Sequence, residues 1–220
     1  LYCEHEDGSV GVYPSLNNAI RRELGLYVCP RPIRGFKGIS GAYEDLDVHI
    51  MREITEDVYS GIEHMVGDCA AECIKLTTRK AALRVAEYSF DYARKNGRKK
   101  VTCVHKANAV SMADGLFLAC FREVAAKNPD IPSDDFMVDA TAYYLAKCPE
   151  KFDVIVASNQ YGDILSDLAA GLVGSLGLAP GANVGENGEI VVEASHGAAP
   201  DIAGRGIANP IALILSGALL

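Results

Sequence analysis

The sequence has little positive charge and contains no long cluster of lysine and arginine. Its 220 residues include 21 Lys and Arg against 29 Asp and Glu, which gives a formal net charge of −8 at pH 7. A nucleic-acid partner requires a basic face, so we expect no partner of that kind. No apolar run approaches the roughly 20 residues of a membrane span, and we therefore expect no membrane partner either.

Short motifs for nucleotide and zinc sites are missing as well. No Walker-type G-x-x-x-x-G-K-[ST] occurs, and the glycines of GLVGSLGLAPG fail the G-x-G-x-x-G spacing. The seven cysteines are odd in number, and the close pair Cys69 and Cys73 lacks a second pair at zinc-site spacing. Scattered cysteines of this kind predict reduced thiols in a reducing compartment, which argues against a secreted protein.

The sequence alternates between short apolar runs and helical patterns, which is typical of an α/β fold. Strands are predicted at DVHIMRE (47–53), KKVTCVH (99–105), FDVIVAS (152–158) and EIVVEAS (189–195). Helices are predicted over 77–97, over 111–128, from Asp163 into LSDLAAGLVGSLG, and over 15–26 with Ser15 as the N-cap. Ligands of such folds collect at the carboxyl ends of strands, so polar residues there are the candidates for a site.

Carboxylates stand at two of these places. Asp163 and Asp167 in NQYGDILSD are one helical turn apart just beyond a predicted strand, and Asp139 follows a further strand edge. Hard divalent cations prefer oxygen ligands, so a metal site is one interpretation. Capping of a helix N-terminus explains Asp163 nearly as well.

Several arginines lie near Ser15 and Asn17 in the sequence. Among them are Arg21, Arg31, Arg34 and Arg52. Arginine is suited to bidentate recognition of carboxylates, although ion pairs on the surface are the alternative. Lys106 stands at the end of a predicted strand, where lysine is unusual as a core residue, whereas Tyr59 fits either a packing or an acid role.

Five separated motifs resemble one protein family, in the family's own order. They are SLNNAIRRELGLYVCPRPIR, REITEDVYSGIEH, VTCVHKANAVSMADGLF, NQYGDILSD and HGAAPDIAGRGIANP. The family is that of the metal-dependent β-decarboxylating dehydrogenases, the isocitrate/isopropylmalate dehydrogenases, and the likeness is greatest to its NAD-dependent isocitrate branch. The resemblance implies a doubly wound, two-domain α/β fold that oxidises a 2-hydroxy acid with a nicotinamide cofactor and then releases CO2.

The resemblance also implies a set of site residues. Isocitrate would be bound by Ser15, Asn17, Arg21, Arg31 and Arg52. Mg2+ or Mn2+ would be bound by Asp139, Asp163 and Asp167. Tyr59 would protonate the enolate after CO2 leaves, and Lys106 would assist removal of the hydroxyl proton. Asp139 and Lys106 would come from a second copy of the chain or a homologous subunit, so that one site needs two chains.

The cofactor implied by the same resemblance is NAD. Asp201 and Ile202 stand where NADP-dependent members have Lys-Tyr, and an acid at this place accepts a hydrogen bond from the ribose 2′-hydroxyl. The other matching cofactor contacts are Asn108, Glu193, His196, Gly197 and Asn209.

Departures from the family pattern leave alternatives open. Ile54 stands where isocitrate enzymes usually have Asn, which leans toward 3-isopropylmalate or homoisocitrate as the substrate. Ala198 replaces a Thr or Ser and removes a hydroxyl near the cofactor. A non-catalytic regulatory subunit or an inactive fragment of the same family is the further alternative.

The resemblance further implies a fold truncated at both ends, because the first and last segments of the family have no counterpart in this sequence. Residues 1–27 and 174–220 would be parts of the large domain, the latter with the cofactor loop. Residues 28–173 would be the small domain, with a dimer clasp near 59–77. Bacterial cytoplasm and the mitochondrial matrix both fit as the compartment.

Overall fold

The computed structural model describes residues 2–4, 10–12 and 15–220. The strands are β1 (Tyr2–Glu4), β2 (Val10–Val12), β3 (Leu26–Arg34), β4 (Asp47–Glu53), β5 (Glu63–Val66), β6 (Ala70–Cys73), β7 (Val101–His105), β8 (Ser133–Met137), β9 (Val154–Ala157), β10 (Pro180–Gly185) and β11 (Ile190–Ala194). The helices are α1 (Leu16–Glu23), α2 (Arg79–Lys95), α3 (Ala113–Lys127), α4 (Val138–Lys147), α5 (Asn159–Leu172) and α6 (Ile211–Gly217).

All four predicted strands and all four predicted helices occur. β4 has the predicted bounds, and α2 ends just before Gly97, whose φ of 63° stops the helix. Thr78 caps α2, since its side chain accepts a hydrogen bond from the Ala81 amide at 3.2 Å. Ser15 occupies the N-cap position of α1, but its side chain makes no capping hydrogen bond. The Ser15 side chain is therefore not hydrogen-bonded to the first turn of α1.

α5 begins at Asn159, four residues earlier than the predicted start at Asp163. Asp163 lies in the second turn, so the interpretation of Asp163 as an N-terminal cap is wrong. The physical reason is that β9 ends at Ala157 and the chain turns into the helix directly after Ser158, which places the polar residues before Asp163 in the first turn.

Seven strands form one mixed sheet in the order β11-β10-β3-β4-β9-β7-β8. The neighbours from β4 to β8 pair in parallel, whereas β3, β10 and β11 pair antiparallel with their neighbours. The carboxyl ends of the parallel strands therefore meet at one edge, which is where polar residues at strand ends can come together.

Two hydrophobic clusters cover the two faces of this sheet. On one face Val28 and Met51 pack with Phe90 of α2 and Phe121 of α3. On the other face the sheet packs against α4 and α5 through a second cluster that includes Leu165. Burial of each such side chain is worth about 1.5–3 kcal/mol. The sheet and the helices on its two faces therefore form three packed layers, which hold the sheet edge in place. The α/β class expected from the sequence is confirmed.

The β5–β6 hairpin stands apart from the sheet. β5 pairs antiparallel with β6, and all eight residues of the two strands are exposed, among them Met65 and Val66. β1 and β2 form a further two-stranded ladder. In the described part of the chain no helix has both the length and the apolar character needed to cross a membrane.

Candidate active site

Strand register places two arginines on one face of the sheet. β3 pairs with β4 so that Cys29 lies opposite Arg52 and Arg31 opposite Ile50. Because side chains alternate with a period of two, Arg31 and Arg52 both project toward α5. Each is only 4% exposed. A buried guanidinium requires a partner, and the partners come from the facing helix.

α5 supplies these partners from a single helical face. Arg52 donates to the side-chain oxygen of Asn159 at 2.9 Å and to Asp163 Oδ1. Arg31 donates to the same Asp163 oxygen at 3.3 Å and lies 3.6 Å from Asp167 Oδ1. The i, i+4, i+8 spacing of the three α5 residues aligns them along the arginines. Arg31 and Arg52 are therefore not surface residues, and the alternative of surface ion pairs is wrong for both.

Gly162 permits this approach of α5 to β4. A Cβ at position 162 would lie 2.8 Å from Arg52 Cβ, which is closer than real contacts allow. By contrast, a Cβ at Gly171 of the same helix would meet nothing within 4 Å. The glycine in NQYGDILSD thus sets the distance between the arginines and the aspartates.

Tyr59 reaches the same carboxylate from a short 3₁₀ turn over Val58–Ser60. Its hydroxyl donates to Asp163 Oδ2 at 3.2 Å, and the Arg52 guanidinium lies 5.7 Å from the ring centroid. Burial raises the pKa of Tyr59, and the nearby Asp163 charge raises it further. Tyr59 therefore keeps its proton at neutral pH. Burial, reinforced by the charge of Arg31, lowers the pKa of Arg52 to about 10.

A second charged group lies beside the first and is built around Arg21. Arg21 donates to Asn183 Oδ1 at 3.0 Å and to Glu193 Oε1 at 2.7 Å, and Asn183 also donates to Glu193 at 3.0 Å. Asn17 completes the group with a 3.4 Å hydrogen bond to Glu193 Oε2. Burial alone would raise the pKa of Glu193, but the Asn183 hydrogen bond and the Arg21 charge lower it. Glu193 is therefore ionised at neutral pH.

Residues of both groups line one cavity of about 320 Å3, namely Arg31, Arg52, Tyr59 and Asp163 of the first and Asn17, Arg21 and Glu193 of the second. Its walls also contain Ser15, Asn18, Ser195, His196 and Gly197. Two buried polar atoms at this cavity, Arg31 Nε and Ser195 Oγ, have no hydrogen-bond partner among the described residues. Unsatisfied buried polar atoms are costly, so both indicate that the cavity is suited to a polar ligand.

A larger cavity, of about 890 Å3, lies at the amino ends of the parallel strands. Its charged walls neutralise one another, because Arg98 pairs with Asp47 at 2.8 Å and Lys100 with Asp134 at 3.0 Å. None of the predicted site residues lines it. We therefore regard the smaller cavity as the candidate site.

Lys106 and Asp139 lie outside this cavity and pair with each other. Lys106 Nζ is 2.6 Å from Asp139 Oδ1, and the Asp139 side chain is 66% exposed. The hydrogen bond from Lys106 lowers the pKa of Asp139. Within residues 15–220 the chain thus holds these two residues as a separate, exposed pair.

The predicted cofactor contacts divide in the same way. Glu193, His196 and Gly197 line the cavity. Asp201 and Ile202 form part of a 3₁₀ turn outside it, and Asn108 is exposed in the loop after β7. Asn209 accepts a hydrogen bond from the Ile211 amide at 3.0 Å at the start of α6. A single chain therefore brings together three of the seven predicted cofactor residues.

The carboxylates of Asp163, which lines the cavity, and of Asp167, which does not, fit a hard divalent cation only in part. Asp163 and Asp167 are one turn apart, and the Asp167 side chain is 50% exposed. Burial nevertheless raises the pKa of Asp167, and Asp163 adds to this effect. No group of three acidic, histidine or cysteine side chains capable of holding a metal occurs in the described ranges. The donor chemistry suits Mg2+ or Mn2+, and a further ligand has to come from elsewhere.

Comparison with known proteins identifies the family. The model of the isocitrate/isopropylmalate dehydrogenase family matches residues 8–220. The chain belongs to this family. It is 51% identical over 206 residues to the mitochondrial isocitrate dehydrogenase [NAD] catalytic subunit 5 of Arabidopsis thaliana, which covers 94% of this chain and 55% of the relative. It is 50% identical over 202 residues to the chloroplastic 3-isopropylmalate dehydrogenase of Solanum tuberosum, with 92% and 57% covered.

A solved structure supports the same family fold. The crystal structure of isocitrate dehydrogenase from Methylococcus capsulatus matches with a TM-score of 0.92 and 50% identity. The match covers 95% of this chain and 62% of that one. The chain spans about half the length of the curated relatives it matches. The expected isocitrate/isopropylmalate dehydrogenase fold is confirmed over this span.

Several polar residues of the site were not predicted from the sequence, among them Asn159, Asn183 and Ser195. Asn183 lies in β10, whose PGANVG sequence does not have a strand pattern. Asn159 opens the NQYGDILSD motif, but only the true start of α5 places it against Arg52. Ser195 is the last residue of the predicted strand 189–195 and directly follows β11, and its position at a strand end was the signal that could have found it.

Proposed function

We propose that the protein containing this chain is an NAD-dependent isocitrate dehydrogenase that requires Mg2+ or Mn2+ and releases 2-oxoglutarate and CO2. The observation that carries the proposal is the convergence of three largely buried arginines, Arg21, Arg31 and Arg52, on one small cavity. A tricarboxylate brings the anionic groups that such a cavity is suited to bind.

The arginines would exchange partners when the substrate binds. In this structure Asp163 holds Arg31 and Arg52, while Glu193 holds Arg21. Substrate carboxylates offer the same charge-assisted hydrogen bonds, and Arg31 Nε has a donor to spare. The exchange would release Asp163 from its ion pairs.

Ser15 and Asn17 support isocitrate over 3-isopropylmalate. Both line the cavity beside Arg21, so they present polar atoms to the part of the ligand that would lie there. A carboxylate can satisfy these atoms, whereas an alkyl group would leave them unpaired at a cost of about 1–3 kcal/mol. Ile54 packs with Leu26 and Cys29 and does not line this cavity, which reduces its weight as an indication of a different substrate.

Asp163 and Asp167 would hold the metal together with Asp139 of a second copy. The bound cation would lower the pKa of the substrate hydroxyl and stabilise negative charge on that oxygen. Among the protein's own residues, Tyr59 keeps its proton at neutral pH and can donate it to the enolate carbon. Lys106 of the second copy would assist removal of the hydroxyl proton.

A second copy of the chain, or a homologous subunit, is the proposed partner. Lys106 and Asp139 lie apart from the cavity in one chain, and the exposed β5–β6 hairpin falls within the proposed clasp near 59–77. Exposed apolar residues such as Met65 and Val66 suit a contact between subunits. The proposed boundary between the small and large domains, at 173/174, falls between β9 and β10. Both strands belong to the same seven-stranded sheet.

NAD is the proposed cofactor, and it would supply the hydride acceptor. Asp201 is exposed and can accept from a ribose 2′-hydroxyl, while its charge would repel a 2′-phosphate. Asn108, Ile202 and Asn209 are proposed to contact the cofactor as the family motif implies. The mitochondrial matrix is the proposed compartment if the source is eukaryotic, since several relatives are named mitochondrial, and the cytoplasm if it is bacterial.

The second candidate function is that of 3-isopropylmalate dehydrogenase, which the 50% identical plant relative favours. A regulatory subunit is disfavoured by the presence of Tyr59, Lys106 and all three aspartates. The deciding assay measures NAD and NADP reduction with isocitrate, 3-isopropylmalate and homoisocitrate, with and without Mg2+. It uses the longest natural polypeptide that contains these residues.

We expect turnover with isocitrate, NAD and metal. Turnover that survives chelation would refute the metal assignment, and turnover with 3-isopropylmalate alone would refute the argument from Ser15 and Asn17. Preference for NADP would refute the role of Asp201. Mixing Lys106→Ala with Tyr59→Phe chains tests the shared site. Random pairing should restore about a quarter of wild-type activity, because half of the dimers then hold one intact site.

A further inference from the structure

Two buried aspartates lie close to the proposed proton-transfer residues without touching the cavity. Asp57 precedes Tyr59 by two residues, and Asp114 is the second residue of α3. Their side chains are 1% and 3% exposed. A buried carboxylate is costly unless it is paired, and one residue, Lys75, pairs with both.

Lys75 lies between the two carboxylates. Its ammonium is 3.3 Å from Asp57 Oδ1 and 3.1 Å from Asp114 Oδ1, and its side chain is 14% exposed. It also lies 4.0 Å from the centroid of the Tyr161 ring, which gives the cation an aromatic wall. This single charge therefore relieves the repulsion between two acids that the fold brings together.

Asp57 holds the turn that carries Tyr59. Its backbone has a φ of 76°, which is strained for a residue other than glycine. Its side chain accepts from the Val58 amide at 2.8 Å and from the Gln160 amide in the first turn of α5 at 3.1 Å. The carboxylate thus joins the Tyr59 turn to the helix that bears Asp163.

Asp114 holds the loop that carries Lys106. Its Oδ2 accepts from the backbone amide of Lys106 at 2.6 Å. The other oxygen faces Lys75. The ion pairs of Lys75 therefore connect the backbone around Tyr59 with the backbone around Lys106 through three side chains.

We propose that Lys75 is a positioning residue that holds the Tyr59 turn and the Lys106 loop of one chain in register, and so links the two active sites of a dimer. The inference rests on the proposed function, in which Tyr59 acts in its own chain's site and Lys106 completes the partner's site. Lys75 touches neither substrate nor cofactor in that arrangement.

The first test is hydrogen exchange on the chain itself, which requires no turnover. Lys75→Met removes the charge and keeps a similar volume, whereas Lys75→Arg keeps the charge. Lys80→Met is the matched control, since Lys80 is exposed and its ion pair with Glu186 is 3.5 Å long. We expect Lys75→Met to speed exchange both at the Lys106 amide and around 57–60, with Lys75→Arg and Lys80→Met close to wild type. Faster exchange at one of the two segments alone, or at neither, would overturn the link.

The second test uses mixed dimers with one intact site. In a dimer of Lys106→Ala and Tyr59→Phe chains, the intact site takes Tyr59 from the first chain and Lys106 from the second. Lys75→Met is placed in one chain or in the other. We expect kcat to fall by about 10- to 100-fold in both cases, with KM little changed, because small displacements of catalytic groups slow the reaction while the arginines remain in place. Lys75→Arg should restore most of the rate.

The outcomes separate the two proposals. A fall in kcat only when Lys75→Met is in the Tyr59-bearing chain would show that Lys75 serves one site and would overturn the link. No fall in either placement would overturn it as well. Absence of activity in the wild type would refute the proposed function, and the exchange result would still decide the role of Lys75. If Lys75→Met does not fold, Lys75→Gln takes its place in both tests.

Discussion

The cavity around Asp163 and the pair formed by Lys106 and Asp139 differ in how the chain holds them. In the first, buried guanidinium groups, a helix face and a tyrosine are joined by hydrogen bonds across β3, β4 and α5. In the second, a single ion pair lies at the surface. One chain therefore prearranges the arginine-lined half of the proposed site and leaves the other half exposed, as the proposed role of Lys106 and Asp139 in a neighbouring chain requires.

The largest contrast is predicted for removal of one aspartate from each region. Asp163→Ala leaves Arg31 and Arg52 buried without their shared carboxylate, and this should cost about 3 kcal/mol of unfolding free energy. Asp139→Ala removes an exposed group and should leave the urea midpoint close to wild type. Equal destabilisation by the two variants in urea melts would contradict the comparison.

A smaller effect is predicted for a change in the distance between α5 and β4 at Gly162. Gly162→Ala forces a methyl group against Arg52 and should destabilise by about 1–3 kcal/mol. Gly171→Ala in the same helix meets open space and should be neutral or stabilising by up to about 1 kcal/mol, which makes it the matched control. Thermal melts of the two variants check this, and a Gly162→Ala variant as stable as Gly171→Ala would show that α5 can move away from β4 freely.

The smallest effect is predicted for pH and salt. The pKa of Glu193 and that of Asp139 are both lowered by their partners, so each contributes stability that is present above the ordinary carboxyl pKa and is lost as the pH falls through the lowered value. Glu193→Gln should therefore reduce the loss of unfolding free energy at acid pH, even at 0.5 M salt, because the partners of Glu193 are largely buried. Asp139→Asn should reduce this loss only at low salt, since exposed pairs are screened. The reverse order of salt sensitivity would contradict the assignment of buried and exposed regions.

Four of the six helices in the described residues were predicted from the local sequence because their signals involve near neighbours, whereas α4 and α6 were not predicted. Leu83, Ala86, Phe90 and Ala93 follow the helical period and form or flank the core contacts of α2. β4 was predicted for the same reason, since its apolar residues Val48, Ile50 and Met51 lie close together within DVHIMRE. These patterns need no knowledge of the rest of the chain.

β3 was missed because it contains two prolines, which argue against a strand. Pro30 and Pro32 pair with β4, but β10 pairs with β3 only at Leu26 and Val28. The prolines thus lie where β3 has a single paired neighbour, which is where a strand tolerates them. β10 was missed for a related reason, because Gly181 and Asn183 weaken its strand pattern, and its pairing on both sides determines its conformation.

The helical and strand periods, the acidic charge and the order of the family motifs follow from the amino-acid sequence alone, because each depends on residue types and short spacings. Which charges meet depends on the fold. Arg52 and Asp163 are 111 positions apart, and Arg21 and Glu193 are 172 apart. Their contacts depend on the register of β3 against β4 and on how closely Gly162 lets α5 approach the sheet. The physical reason is that long-range ion pairs are selected by packing and burial, which no local pattern encodes.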